Sequence, residues 1–331
     1  MKNLFPYILL SSALYVYPGI TFASDVYEEN VQAQEDAVTS NVSSDEEWHF
    51  KLGYLQETEN TEGQSIDRDG TFMPTYYLFS YTKDWSVWLA LHQEYYNFDY
   101  GDGSQGTRLN RHEFTLRHQY YTSDNLKLGF SLGFTEYAFA MNNEHGDNTS
   151  TTAQRYALQP DWDWSLTDNL TYVGWFAYYE KQNNLEKIQY SRHQIETETG
   201  LNYKFTDDTV LKLNFYFNRG WDNGNERYGE FSDPQIRGYL PIQYRFTSTS
   251  TGTLIPYFRS SLGGWYYNAG KDRYEHNYFN RFGLRWEQSL SKDWNWFIDY
   301  AYEPRTFRNA DPDQEKYTDF HYTSAGLSYT F

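Results

Sequence analysis

The chain has 331 residues, a formal net charge of −18, no cysteine and an aromatic content of 21%. The acidic balance argues against a nucleic acid partner, and the absence of cysteine excludes a disulfide framework and a thiolate metal site. Only 39% of the residues are hydrophobic, yet aromatic residues are far too frequent for a disordered chain. This combination is typical of a wall one residue thick, with lipid on one side and water on the other.

The first 23 residues have the composition of a secretory signal peptide. Lys2 gives a positive start, residues 4–17 form an apolar run, and Thr21-Phe22-Ala23 fits a cleavage site. The run is too short for a comfortable membrane span, so a membrane anchor is the less favoured alternative. Residues 24–47 are rich in Glu, Asp, Ser, Asn and Gln, which predicts an acidic, flexible periplasmic extension.

From Trp48 onward, apolar and polar residues alternate along the chain. Examples are the ranges 48–59, 126–135, 194–205 and 294–303. A period of two residues indicates strands with one apolar and one polar face, because successive side chains point to opposite faces. Such runs are long enough for a tilted strand to cross a bilayer, whereas a soluble sandwich has shorter ones. Since every backbone group in lipid needs an internal partner, the strands must close into a barrel.

Two kinds of connection alternate between these strands. The short kind is rich in Thr, Asp and Asn, which favour tight turns, and lies at 82–84, 122–125, 167–169, 206–208, 247–252 and 291–293. The long kind is rich in Gly, Asn and Asp and lies at about 59–71, 98–108, 141–152, 182–190, 220–232, 267–278 and 306–317. These thirteen connections predict an all-β, 14-stranded antiparallel transmembrane β-barrel over residues 48–331, with short periplasmic turns and long extracellular loops.

The two rims of this barrel differ in composition. Several tryptophans lie within a few residues of a short turn or of the predicted barrel start, which is typical of an interfacial aromatic girdle: Trp48, Trp85, Trp162, Trp164, Trp294 and Trp296. Ordinary core tryptophans are the alternative. The segment 323–331 alternates to its end at Phe331 and is predicted to be the strand that closes the barrel.

The face opposite the apolar residues carries charges of both signs. Charged groups at this density need water, so the pattern predicts a water-filled channel without a purely cationic or anionic filter. An alternative is that the charges pair across the interior and hold the wall rigid. The predicted lining residues are Glu57, Glu59, Arg111, Glu113, Arg117, Arg155, Asp161, Asp163, Arg192, Glu196, Glu198, Arg237, Arg245, Arg259, Arg281, Arg285, Glu287, Asp299, Glu303 and Arg305. Trp175, Tyr179 and Tyr239 share this face and are candidate sugar platforms.

The segments from Trp48 to Phe331 resemble the family of monomeric outer-membrane porin G. The resemblance rests on motifs in order and at near-constant spacing, at 48–50, 57–63, 160–163, 195–200, 229–232, 237–241, 280–281 and 320–322. It implies fourteen strands, a single-chain pore in the outer membrane of a Gram-negative bacterium, and weakly selective passage of mono- to oligosaccharides and ions. It also implies contact with lipopolysaccharide and reading of the closing strand by the barrel-assembly machinery. No cofactor, metal site or nucleic acid partner is predicted.

The resemblance further implies a gate driven by two protonated histidines. His276 matches the first position after a one-residue shift, but the second falls at Phe307, which cannot take a proton. We therefore expect no two-histidine switch. His276 stays a possible pH-responsive residue, acting through Arg273 or Arg308, with a solvated loop residue as the alternative.

Three other functions are weighed against a channel. A barrel hydrolase would need a nucleophile with an oriented base, but none of the eight histidines lies in such a motif and no Gly-x-Ser-x-Gly occurs. An adhesin or phage receptor built on the loops stays open, as does a soluble all-β lectin. A passive channel and no enzymatic activity is the favoured hypothesis.

Overall fold

The computed structural model describes residues 48–63, 70–97, 107–142, 148–185, 188–222, 230–247, 250–268, 273–308 and 316–331. The predicted signal peptide and the extension at 24–47 lie outside these residues, and so do parts of all seven predicted long connections. Within the described part of the chain, no helix is long and apolar enough to cross a membrane.

The described residues form a closed, antiparallel β-barrel. Its strands are β1 His49–Gly63, β2 Gly70–Tyr81, β3 Trp85–Asn97, β4 Thr107–Thr122, β5 Leu126–Asn142, β6 Asn148–Thr167, β7 Leu170–Leu185, β8 Ile188–Thr206, β9 Thr209–Asp222, β10 Phe231–Tyr239, β11 Ile242–Arg245, β12 Thr251–Ser261, β13 Gly264–Asn268, β14 Arg273–Ser289, β15 Trp294–Arg308 and β16 Lys316–Thr330.

The last strand closes the ring, as the sequence predicts. β16 pairs with β15 on one side and with β1 on the other, in a register that runs from Lys51 opposite Thr330 to Gly63 opposite Thr318. At the end of this seam the Phe331 N–H donates to the Phe50 carbonyl at 2.9 Å. No sheet edge is left between the first and last strands, which is the condition for a stable sheet in lipid.

The predicted number of fourteen strands is wrong, because the described barrel has sixteen. The alternation of apolar and polar residues continues across two points at which the backbone interrupts a strand. Leu240 and Pro241 separate β10 from β11, and Pro241 has no N–H to donate to a ladder. Leu262 and Gly263 separate β12 from β13, and Gly263 has a φ of 105°, which a residue with a side chain rarely adopts.

The barrel is apolar outside and polar inside. On β14 the burial alternates, so that Arg281 and Arg285 are buried while Phe282 and Leu284 are 58% and 50% exposed. In a water-soluble protein the buried positions would carry the apolar side chains. The reversed pattern is what a barrel in lipid requires, with its apolar face toward the acyl chains.

Thr and Ser hydroxyl groups stabilise the short connections, which confirms the predicted turn chemistry for threonine at Thr82, Thr167 and Thr206. Thr82 Oγ1 accepts a hydrogen bond from the Trp85 N–H at 3.0 Å, and Ser123 Oγ accepts one from the Leu126 N–H at 3.1 Å. Ser291 Oγ accepts from the Trp294 N–H at 3.2 Å. A side-chain oxygen that binds the backbone two or three residues on stabilises a tight reversal. Trp48, Trp85, Trp164 and Trp294 near this rim are exposed, as an aromatic girdle requires. The other two predicted girdle residues, Trp162 and Trp296, are half-buried.

Candidate functional site

A cavity of about 690 Å³ lies inside the barrel. Its wall comes from inward-facing side chains on β3 to β10, β12, β14 and β15, together with residues at two strand ends. Eleven of the twenty predicted lining residues border it: Glu113, Arg117, Arg155, Asp161, Asp163, Glu196, Glu198, Arg237, Arg285, Glu287 and Asp299. The candidate platforms Trp175, Tyr179 and Tyr239 border it as well.

The other predicted residues are placed differently. Arg245 is exposed at the end of β11, away from the cavity wall. The side chain of Arg192 lies outside the described part of the chain. The remaining seven are buried inside the barrel without bordering this cavity: Glu57, Glu59, Arg111, Arg259, Arg281, Glu303 and Arg305.

One wall of the cavity carries a two-point ion pair. Arg117 Nη2 donates to Asp161 Oδ1 at 2.6 Å, and Arg117 Nε donates to Asp161 Oδ2 at 3.1 Å. This fork-to-fork geometry fixes both side chains in orientation as well as distance. The guanidinium of Arg155 lies over the ring of Tyr179, 4.7 Å from its centroid, on the same wall. The charges of this wall are therefore held in place, so that they act as a fixed field on whatever enters.

A second network holds the arginine on β10. Arg237 Nη1 lies 2.9 Å from Glu198 Oε2, and its guanidinium lies 3.5 Å from the centroid of the Tyr216 ring. The Tyr216 hydroxyl donates to Glu196 Oε1 at 2.6 Å. Arg237 is thus neutralised by one glutamate and stacked on the phenol that binds another, so two acidic groups and one cation face the cavity together.

Three buried arginines stand directly opposite each other on neighbouring strands. Arg237 pairs in register with Arg259, and Arg259 with Arg281. Three adjacent cations are stable only where counter-charges and aromatic faces compensate them. Arg281 Nε lies 2.7 Å from Glu303 Oε2, and its guanidinium lies 3.8 Å from the Tyr322 centroid. The row is therefore embedded in a network of acidic and aromatic groups.

A further buried cluster centres on a histidine. His92 Nε2 lies 3.2 Å from Glu113 Oε2, and His92 Nδ1 lies 2.8 Å from Thr75 Oγ1. Arg111 Nε lies 3.1 Å from the other oxygen of Glu113. The glutamate thus bridges an arginine and a histidine, which orders the wall where β2, β3 and β4 meet.

Several cavity residues were missed by the sequence reasoning, which selected only part of the inward face. Lys127, Asp168, Lys204 and Lys212 border the cavity near the short-turn rim. The parity of the three lysines along their strands was available in the sequence, whereas Asp168 lies in the turn between β6 and β7. They were overlooked because each lies in or within a few residues of a turn, where it is harder to assign whether a side chain points into the barrel or outward.

His276 does not face the interior. It is exposed on the outer face of β14, while its neighbours Glu275 and Asn277 are the buried, inward ones. Its ring stacks on Tyr278 at 6.4 Å between centroids, and Arg308 is its partner in the register with β15. This placement gives His276 no contact with the cavity. In the described residues no group of three or more His, Asp or Glu side chains is arranged to hold a metal ion.

Comparison with known proteins confirms the family resemblance. A family model described as Outer membrane protein G (OmpG) matches residues 45–329. The chain is 34% identical over 289 residues to "Outer membrane porin G" of Escherichia coli (strain K12), which covers 86% of this chain and 92% of that protein.

Solved structures of other barrels are similar in fold alone. The "CymD monoaromatic hydrocarbon channel" matches with a TM-score of 0.54 at 8% identity, over 88% of this chain and 90% of that chain. The "TodX monoaromatic hydrocarbon channel deltaS2 mutant" matches with a TM-score of 0.52 at 8% identity, over 87% of this chain and 90% of that chain.

Proposed function

Because the chain belongs to the outer membrane protein G family of porins, we propose that its channel passes mono- to oligosaccharides and small ions. Membership makes the protein a passive diffusion channel of the outer membrane, a multi-pass β-barrel and not an enzyme. Family membership does not specify which solutes pass through the channel. One observation supports the proposed class of solute. This is the cavity, whose wall combines ion-paired charges of both signs with aromatic faces.

The dimensions and chemistry of the cavity support small hydrophilic solutes. Its volume of about 690 Å³ falls within the range of about 300–1,000 Å³ that accommodates small organic molecules. The carboxylates, guanidinium groups and amides of the cavity wall can form hydrogen bonds with sugar hydroxyls. Trp175 and Tyr239 on the same wall can stack against the faces of sugar rings. Because each contact exchanges with water, binding stays weak enough for solutes to leave, as conduction requires.

Liposome swelling tests this proposal. Refolded barrel in vesicles should admit a monosaccharide fastest and progressively larger oligosaccharides more slowly, because passage is limited by size rather than by one binding step. Vesicles without protein are the control. A folded channel that conducts ions but admits no monosaccharide would refute the saccharide proposal while leaving the channel function intact.

We propose further that the protein acts as a monomer and that its assembly uses both ends of the chain. Residues 1–23 would direct export and be removed, leaving the acidic segment 24–47 in the periplasm. The closing strand would be read by the barrel-assembly machinery, and the outer face would contact lipopolysaccharide. Support for the role of the closing strand comes from the pairing of β16 with β15 on one side and with β1 on the other. Mass spectrometry of the mature protein should give Ser24 as the first residue, and deletion of Phe331 should lower the amount assembled.

A further inference from the structure

The inner face of the barrel is packed on one side and open on the other. On β1, β2 and β16 the inward side chains are almost inaccessible to water, with exposed fractions of 2% for Leu55, 6% for Glu57, 1% for Met73, 5% for Phe320 and 4% for Ser324. None of these five residues borders the cavity. These residues instead have other side chains against them.

An apolar cluster inside the barrel explains part of this packing. Leu55, Tyr77 and Phe79 pack with Trp88 and Phe297, although all are on the face that elsewhere carries charges. The Tyr77 and Trp88 rings stack with centroids 4.7 Å apart. Aromatic side chains of this size bury large areas, so the cluster fills the sector next to β1 and β2.

A charged cluster fills the rest of the same side. Glu303 is bound by Arg281 and by Arg305, and the guanidinium of Arg305 lies 4.2 Å from the centroid of the Phe320 ring. Arg305 Nη2 also donates to the Tyr322 hydroxyl at 3.4 Å. Arg281, Glu303 and Arg305 are each at most 1% exposed, and none of the three borders the cavity.

The strands about half-way round the ring from β1 border the cavity. On β6, β7 and β8 the inward residues Arg155, Asp161, Trp175 and Asn202 keep part of their surface accessible, and all four border the cavity. Among the described residues, none of those that border it belongs to β1, β2 or β16. Burial alone does not separate the two sides, because Tyr216 and Arg237 on the cavity wall are only 1% and 2% exposed. The distinction rests on which residues border the cavity and on the clusters that fill the other side.

We propose that solutes cross this channel through an eccentric passage that β1, β2 and β16 do not border, while these three strands form a packed, non-conducting sector. The proposal rests on the channel function and divides the inward charges into two groups. Charges on the cavity wall, such as Asp163 and Glu198, act on the permeating solute. Charges in the packed sector, such as Glu57 and Glu59, hold the barrel and do not set its selectivity.

Two serines offer a matched test, because the chain has no cysteine that would compete for a thiol reagent. Ser131 on β5 and Ser324 on β16 both face inward, are 6% and 4% exposed, and lie five and six residues from the short-turn ends of their strands. Only Ser131 borders the cavity. Ser131→Cys and Ser324→Cys are near-isosteric changes at similar depth on different sides.

The experiment records single channels of each variant in a planar bilayer while a charged methanethiosulfonate reagent is added. Modification of Ser131→Cys should lower the conductance in one step, and dithiothreitol should restore it. Ser324→Cys should keep the wild-type conductance under the same exposure. Equal, rapid block of both variants would overturn the proposal, as would block of Ser324→Cys alone. Wild-type conductance tests the channel function separately from this difference.

A second pair protects the test against a folding defect in one variant. Thr135 on β5 is 5% exposed and borders the cavity, whereas Thr318 on β16 is 3% exposed and does not. Thr135→Cys should be blocked and Thr318→Cys spared, with heat-modifiable migration showing that each barrel is folded. A reversed pattern in this pair would contradict the packed sector.

Discussion

Arg281 on β14 and Glu303 on β15 meet inside the barrel with 2.7 Å between Nε and Oε2, and both side chains are fully buried. Arg305 binds the second oxygen of the same carboxylate. One glutamate therefore neutralises two arginines in a place that water does not reach. Removing one partner of such a group leaves an uncompensated charge, which is far more costly than the pair itself is stabilising.

Glu303→Gln should destabilise the barrel by about 3–5 kcal/mol, because two buried guanidinium groups lose their counter-charge. The measurement is the midpoint of urea unfolding in detergent or lipid. Glu287→Gln is the control, since the Arg285–Glu287 pair is also close, at 2.6 Å, but Glu287 is 32% exposed and its loss should cost much less. If both variants lost the same free energy of unfolding, burial would not determine how much these ion pairs contribute to stability.

Because the apolar face of the barrel wall points outward, arginine substitutions at two successive residues near the middle of β6 should lower stability by different amounts. Leu158 is 48% exposed on the outer face, and Gln159 borders the cavity. Leu158→Arg should lower stability by about 2–4 kcal/mol, as a charge at the bilayer midplane does. Gln159→Arg enters an aqueous space and should cost less. Unfolding in lipid vesicles compares them, and a greater loss for Gln159→Arg would reverse the assigned faces.

Ion selectivity should be weak and should depend on charges at the cavity wall. Seven cationic and eight acidic side chains border the cavity, so neither sign dominates. Lys212→Glu should move the reversal potential in a salt gradient toward cation preference, because Lys212 borders the cavity. Arg245→Glu makes the same change in charge at an exposed site, and it should shift the reversal potential less than Lys212→Glu does. A larger shift from Arg245→Glu would place the selective region elsewhere.

His276 should not control the channel at acid pH. Histidine titrates between about pH 5 and 8, but this side chain is on the outer face, next to Tyr278 and away from the cavity. In single-channel records, the ratio of the open probability at about pH 5 to that at about pH 8 should therefore be the same for His276→Ala as for the wild type. If acid closure occurs in the wild type and disappears in His276→Ala, the outer face would have to be coupled to the gate.

The alternation of residue types was sufficient to predict the faces of the strands, because the period of two residues follows from the backbone itself. The strand number was not predictable in the same way. Ile242–Arg245 continues the pattern of the preceding residues, so only the missing N–H of Pro241 and the positive φ of Gly263 reveal the breaks.

The division of the inward charges also needed the three-dimensional structure. Glu57 and Asp163 have the same parity and the same kind of side chain, yet only Asp163 borders the cavity. The difference arises because Leu55, Tyr77, Trp88 and Phe297, which come from four strands, pack together next to the first strand. Contacts of this kind depend on register and side-chain volume across strands, which a linear pattern does not contain.

Single-channel recording of the refolded wild-type barrel in a planar bilayer tests the central claim most directly. We expect discrete openings of one size that show weak ion selectivity, because one closed barrel with a mixed-charge cavity forms the passage. A heat-modifiable, folded barrel that inserts into the bilayer and never conducts would contradict it.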